Sequence, residues 1–123
     1  MSQPATARRQ QFCGRPGYRA GVNDVGEITP AVKAVHLAEA FNMDCEIHGT
    51  GSGNLAVLGA VTAGHWYERG LLHPMSDYDE VPPHLLRAID PMDADGFVTL
   101  PATPGLGDDL DHDYIWANQV ASW

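Results

Sequence analysis

The strongest constraint on this chain is an order of elements, helix, strand, helix, strand, packed into residues 29–69. Thr29 is placed to cap a helix with Pro30 at its first position, since Thr accepts from an unpaired first-turn amide and Pro needs no amide partner there. Ala31, Ala34, Val35, Ala38 and Phe41 then fall on one face, so the spacing predicts an amphipathic helix over 30–41. Asp44 to His48 (DCEIH) reads as a short strand closed by the glycine-rich turn GTGSG. The nine residues NLAVLGAVT, 54–62, are mostly apolar, and their length and the Gly51/Gly53 entry favour a buried helix over a strand. Trp66 to Arg69 (WYER) reads as a second strand. Helices alternating with strands across short loops predict an α/β fold with parallel strands. Two strands leave both edges bare, and a parallel sheet needs more neighbours than that.

The flanks differ in composition. Arg8, Arg9, Arg15 and Arg19 are four of the seven basic residues, and the first acid is Asp24. With Pro and Gly among them and no apolar period, residues 1–22 fit a disordered tail, a targeting peptide without an amphipathic stripe, or a foreign segment joined to a true domain; all three stay open. From Leu71 onward, Pro74, Pro82, Pro83, Pro91, Pro101 and Pro104 keep elements short. VPPHLLRAI fits one or two helical turns, FVTLP a short strand and DYIWANQVA a terminal helix. The expected division is 1–22, a domain over 23–75, and a C-terminal extension over 76–123.

Sixteen acidic against seven basic residues give a net charge of −9, which repels nucleic acid and anionic membranes and leaves a small molecule as the expected partner. No apolar run reaches the roughly 18 residues of a membrane span. Cys13 and Cys45 lack CxxC spacing, so a reducing, cytoplasmic location is expected.

His48 and Glu68 are the candidate catalytic pair, because each lies at the C-terminal end of an expected strand, the edge where parallel α/β sheets carry reactive groups. An imidazole moves protons near neutral pH, and a carboxylic acid kept protonated by burial donates to a developing oxyanion. On pattern alone, a single strand-end histidine is more often structural.

The stretch EITPAVKAVHLAEAFNMDCEIHGTGSGNLAVLGA, followed by GHWYERGLLHP, DYDEVPPHLL, DPMDADGFVTLP and PGLGDDLDHDYI, resembles the end of the mandelate racemase and muconate lactonising enzyme family of the enolase superfamily. The resemblance covers about residues 25–123, and the GLLHP and PGLGDD segments resemble its sugar-acid dehydratases more than its racemases. It implies the last two βα units of a (β/α)8 TIM-type barrel plus an irregular extension, an incomplete barrel, since a whole one takes roughly 250 residues. In that family a histidine after strand seven is the general base, and a glutamate after strand eight, twenty positions on, bonds the enolate; His48 and Glu68 have that spacing. The implied reaction removes the proton alpha to a carboxylate of a sugar acid, with magnesium stabilising the enolate.

Departures bound what carries over. The aspartate that orients the family's histidine falls at Gly21 by counting back from VGEIT, and Asp24, three residues on, would face away and lie about 10 Å off if the strand continued. The family's metal carboxylates and second acid/base group sit on earlier strands, so no magnesium is expected on this chain alone. Losing several kcal/mol of metal stabilisation, at about 1.36 kcal/mol per tenfold in rate, predicts an inactive isolated chain. Two further readings are a split enzyme, completed by a complementing barrel fragment, and a non-catalytic protein that self-associates through bare apolar faces.

Other motifs have plainer readings. DPMDADG has Pro91 and Ala102 where a calcium loop needs its first and twelfth ligands. GTGSGN lacks the Lys-Ser/Thr of a phosphate loop. His65 and His73 flank Glu68 without zinc spacing, Glu46 shares strand parity with His48 but reads as structural, and Trp66, Tyr67, Trp116 and Trp123 read as packing residues.

Overall fold

The computed structural model describes residues 17–69, 75 and 79–121. The element order is β1 (Gly17–Ala20), α1 (Val22–Val25), α2 (Ile28–Ala40), β2 (Asp44–Ile47), α3 (Ser52–Ala60) and α4 (His112–Ala117). β1 and β2 pair in parallel, Gly17 opposite Asp44 and Ala20 opposite Ile47, with α2 as the crossover between them. An isolated parallel bridge from Ile47 to Tyr67 adds a third chain segment on the other side of β2.

Two expectations about strands need correction. Gly17–Ala20 is a strand and Ala20 is buried, so this part of the segment read as a tail belongs to the sheet. The rest of that segment, residues 1–16, lies outside the described residues. WYER, expected as a strand, makes a single bridge at Tyr67. The reason is where the amides at its start go: Trp66 N–H, and His65 N–H just before it, donate to the Glu46 carboxylate, at 3.0 and 3.1 Å, instead of to a strand backbone. Glu46 is thereby structural.

α2 starts earlier than the Thr29 cap implies. Its N-cap is Glu27, with φ 87° and no side-chain bond, and Pro30 sits within the first turn, where amides lack helical partners anyway. Its end is a Schellman turn: Asn42 takes φ 53°, Asn42 N–H donates to Glu39 O, and Met43 N–H donates to Ala38 O. That turn carries Phe41 off the buried face, leaving it 71% exposed, contrary to its expected place beside Ala38. Ala31, Val35 and Ala38 are the buried stripe. They pack with Ala20, Val22, Cys45, Ile47, Val57 and Ala63 into a core of small side chains, in which Val35, Val57 and Cys45 are the largest fully buried groups.

Polar ties complete it. Buried Asn54 accepts from Val22 N–H at 2.8 Å and donates to Thr50 O at 2.9 Å, holding α1, the glycine turn and α3 together. The Glu39 carboxylate accepts from the amides of Thr62 and Ala63 and from the Thr62 hydroxyl. The extension is a set of turns: a Leu85–Leu110 bridge, a Met92–Val98 bridge closed by Asp93, and α4, capped by Asp111 accepting from Tyr114 N–H. Leu100 lies directly over Gly59 of α3, where any side chain would collide with it.

Because Val35 has no exposed surface and Leu37 is 61% exposed, Val35→Ala is expected to lower the unfolding free energy by about 2 kcal/mol and Leu37→Ala by under about 0.5. Urea titrations followed by circular dichroism check the contrast.

Candidate functional site

Parallel pairing sets β1 and β2 with their C-terminal ends together, and the backbone continues the pairing one step past the strands, His48 N–H donating to Ala20 O at 3.2 Å. The Tyr67 bridge brings the following residue, Glu68, to the same edge. Strand parity then selects the residues: Cys45 and Ile47 are buried against the helices, so Arg19, Glu46 and His48 belong to the opposite face.

There, three side chains from three segments meet. His48 Nδ1 lies 2.7 Å from Glu68 Oε2 and 2.8 Å from Arg19 Nη2. Arg19 Nη2 donates to the same Glu68 oxygen at 2.8 Å, and Gly49 N–H donates to it at 3.1 Å. The imidazole is 43% exposed and the Glu68 carboxyl 23%. The two residues singled out from the sequence are in direct contact.

The charge state of Glu68 differs from the expected protonated acid. The Gly49 amide above all, then the bond and charge of His48 and the Arg19 cation, hold its carboxyl below the ordinary value, and partial burial opposes them without prevailing. Glu68 is a carboxylate and accepts; it has no proton to donate near neutral pH.

Asp24 also departs from expectation. The strand stops at Ala20 and a helical turn begins at Val22, so Asp24 folds back over Gly21, its amide donating to Gly21 O at 3.0 Å. A Cβ on Gly21 would lie 2.5 Å from Asp24 Oδ2 and 2.5 Å from His48 O. The carboxylate thus occupies the space a side chain at position 21 would need. The acid that touches the imidazole is nevertheless Glu68.

Arg19 was hidden in the sequence among the arginines of the flank, and a four-residue strand carries too little pattern to be seen. A second group was equally hidden. The Tyr67 hydroxyl donates to Asp90 at 2.7 Å and accepts from Gly51 N–H at 2.9 Å, joining the glycine turn to the extension. Burial first, then Asp90, push that phenol well above its usual range, so it is a fixed neutral tie. Arg69 adds a bond to Asp90 O, and Ser52 donates to Asp108. His65 lies 3.7 Å from Asp44, and His73 is outside the described residues.

Parallel strands crossed by a helix carry a histidine and a glutamate in contact at their C-terminal edge, and residues 18–114 match the family described as enolase C-terminal domain-like. The chain belongs to that family. More particularly, it is similar to D-glucarate dehydratase from Agrobacterium tumefaciens in complex with magnesium, at 55% identity and a TM-score of 0.79, over 84% of this chain. The chain spans 27% of that one. No curated protein matches it. No helix among the described residues is long and apolar enough to cross a membrane.

The residues at hand do not fit the magnesium named for that relative. Among the described residues no three His, Cys, Asp or Glu side chains gather to hold a metal, and the Glu68 oxygen at the site already has a guanidinium at ion-pair distance.

The lowered Glu68 value has a stability consequence with a definite sign. A carboxyl depressed on folding contributes above its unfolded value, near 4.5, and loses that contribution as pH falls through the folded value. Glu68→Gln is expected to destabilise the chain at neutral pH and to be nearly neutral in strong acid, as read from urea midpoints across the acid range.

Proposed function

We propose that this chain supplies the base-bearing C-terminal part of an acid-sugar dehydratase site, the last βα units of a (β/α)8 barrel with its extension. The observation that carries this reading is the contact of His48 with Glu68, 2.7 Å apart, at the C-terminal edge of parallel strands, in a chain 55% identical to part of D-glucarate dehydratase. His48 takes the proton alpha to the substrate carboxylate, a step suited to an imidazole near neutral pH. Glu68 and Arg19 fix its surroundings, and the glycine turn, tied through Gly51 to Tyr67, keeps backbone amides beside the imidazole. Charge stabilisation of the enolate and a group to receive the leaving hydroxyl come from residues beyond this chain. On its own the chain turns over no sugar acid; completed by the remaining barrel strands it does.

The test mixes this chain with the part of D-glucarate dehydratase that it does not span, in the presence of magnesium and D-glucarate, and follows keto-acid formation. The expected result is no turnover from either part, turnover from the mixture, and its loss by 10²-fold or more with His48→Gln, the size of a general-base contribution. Turnover by the isolated chain, or none from a mixture shown by sizing to assemble, would overturn the reading.

A second reading, self-association without catalysis, is favoured by the exposure of Leu37 on α2, of Phe41 just past its end and of Trp116 on α4. Light scattering decides it, since a monomer at high concentration ends it.

A further inference from the structure

The imidazole of His48 is under two opposed demands. Glu68 Oε2, 2.7 Å from Nδ1, is an acceptor only, and Arg19 Nη2, 2.8 Å from the same nitrogen, is a donor only. Nδ1 carries either a proton or a lone pair, so one neighbour is satisfied and the other is not. Suppose it carries the lone pair. It then takes a hydrogen from Arg19, but two acceptors face each other at 2.7 Å. Suppose it carries the proton. It then donates to Glu68, and Arg19 still has a full bond, because its Nη2 donates to that same oxygen at 2.8 Å. Gly49 N–H donates there too, at 3.1 Å, so one carboxylate oxygen gathers three donors, and the two donors left 2.8 Å apart, Nδ1 and Arg19 Nη2, both send their hydrogens to that negative oxygen. Charge-assisted bonds of this kind are the stronger ones.

We infer that Glu68 is the positioning residue of His48: it accepts the Nδ1 proton, fixes the imidazole as the Nδ1–H tautomer, and leaves Nε2 with the lone pair that acts as base. The inference rests on reading His48 as the base, and it assigns Glu68 to the imidazole and not to the substrate oxyanion. It also identifies what stands in for the absent carboxylate at Gly21. An aspartate is not needed beside the ring when the chain brings a glutamate to it from Tyr67's neighbour. Arg19 has the accompanying part of balancing the Glu68 charge at 2.8 Å.

The other charged groups near the imidazole do not make the competing bond. Asp24 from α1 lies by the His48 carbonyl across Gly21, and Glu46 of β2 is engaged by the amides of His65 and Trp66.

Imidazole nitrogen shifts and two-bond nitrogen–proton correlations on the full ¹⁵N-labelled chain test this, at a pH roughly two units above an ordinary imidazole's 6.5, with His48→Gln for assignment. The expected result is Nδ1–H over Nε2–H by roughly tenfold or more. Arg19→Ala should keep that preference, Glu68→Gln should retain it in part through its amide oxygen, and Glu68→Ala should reverse it as Arg19 donates into Nδ1. An Nε2–H form, an even mixture in the unsubstituted chain, or an unchanged tautomer in folded Glu68→Ala overturns the inference. If Glu68→Ala does not fold, the unsubstituted chain and Arg19→Ala still decide. The readout needs no turnover, so a dead mixture with an Nδ1–H imidazole defeats the dehydratase reading alone, and turnover with an Nε2–H imidazole defeats this assignment alone.

Discussion

The parallel pairing of β1 with β2 is the constraint from which the rest follows. Parallel neighbours need a crossover, and the thirteen residues of α2 provide it. That crossover must lie on one face of the pair, so Ala31, Val35 and Ala38 bury against Ala20, Cys45 and Ile47, and the residues of opposite parity are left on the other face. Both strands also end at one edge. Arg19, His48 and Glu68 meet there because the register opposes Ala20 to Ile47 and bridges Ile47 to Tyr67. A shift of one residue would turn Arg19 into the apolar core and Ala20 out of it.

The acidic excess of this chain is used for structure. Glu39 holds the Thr62 and Ala63 amides, Glu46 those of His65 and Trp66, and Glu68 that of Gly49. In each case a carboxylate satisfies backbone N–H groups that a longer ladder or another strand would otherwise take. This explains why the third strand shrinks to one bridge although its register is parallel and correctly placed. It also explains how a core whose largest fully buried groups are two valines and a cysteine holds an extension rich in proline: Asp90 and Asp108 reach back to Tyr67 and Ser52.

Much of this was legible in the sequence, and the parts that were not failed for identifiable reasons. α2, β2 and α3 lie close to their expected bounds, because a helical stripe and a terminating glycine turn are strong local signals. His48 and Glu68 were read at the ends of neighbouring strands, and their side chains touch at that edge. β1 was invisible because four residues after an arginine, glycine and proline run show no alternation long enough to read. Thr29 looked like a cap because its residue type is right, whereas the preceding Gly26–Glu27 turn, both at positive φ, sets the start. Asp24 was placed too far from the edge by assuming strand rise where the chain turns helically. The charge of Glu68 could not be read at all, since it depends on Arg19 and Gly49, which only the fold brings to it.

The exposure of the site bears on what it can do. An ion pair whose arginine is 64% exposed contributes little to stability in water, so the Arg19–Glu68 contact matters for direction more than for energy. What gives the carboxylate its fixed aim is the Gly49 amide, which belongs to the turn pinned by Asn54 and Tyr67. The imidazole is therefore oriented by rigid backbone through a single oxygen, while its own ring remains open to solvent. Water competes with a developing enolate for every donor at such a surface. Orientation of the His48 ring is a property this chain can hold by itself; in the proposed dehydratase, exclusion of water is one that the remaining strands of a barrel add.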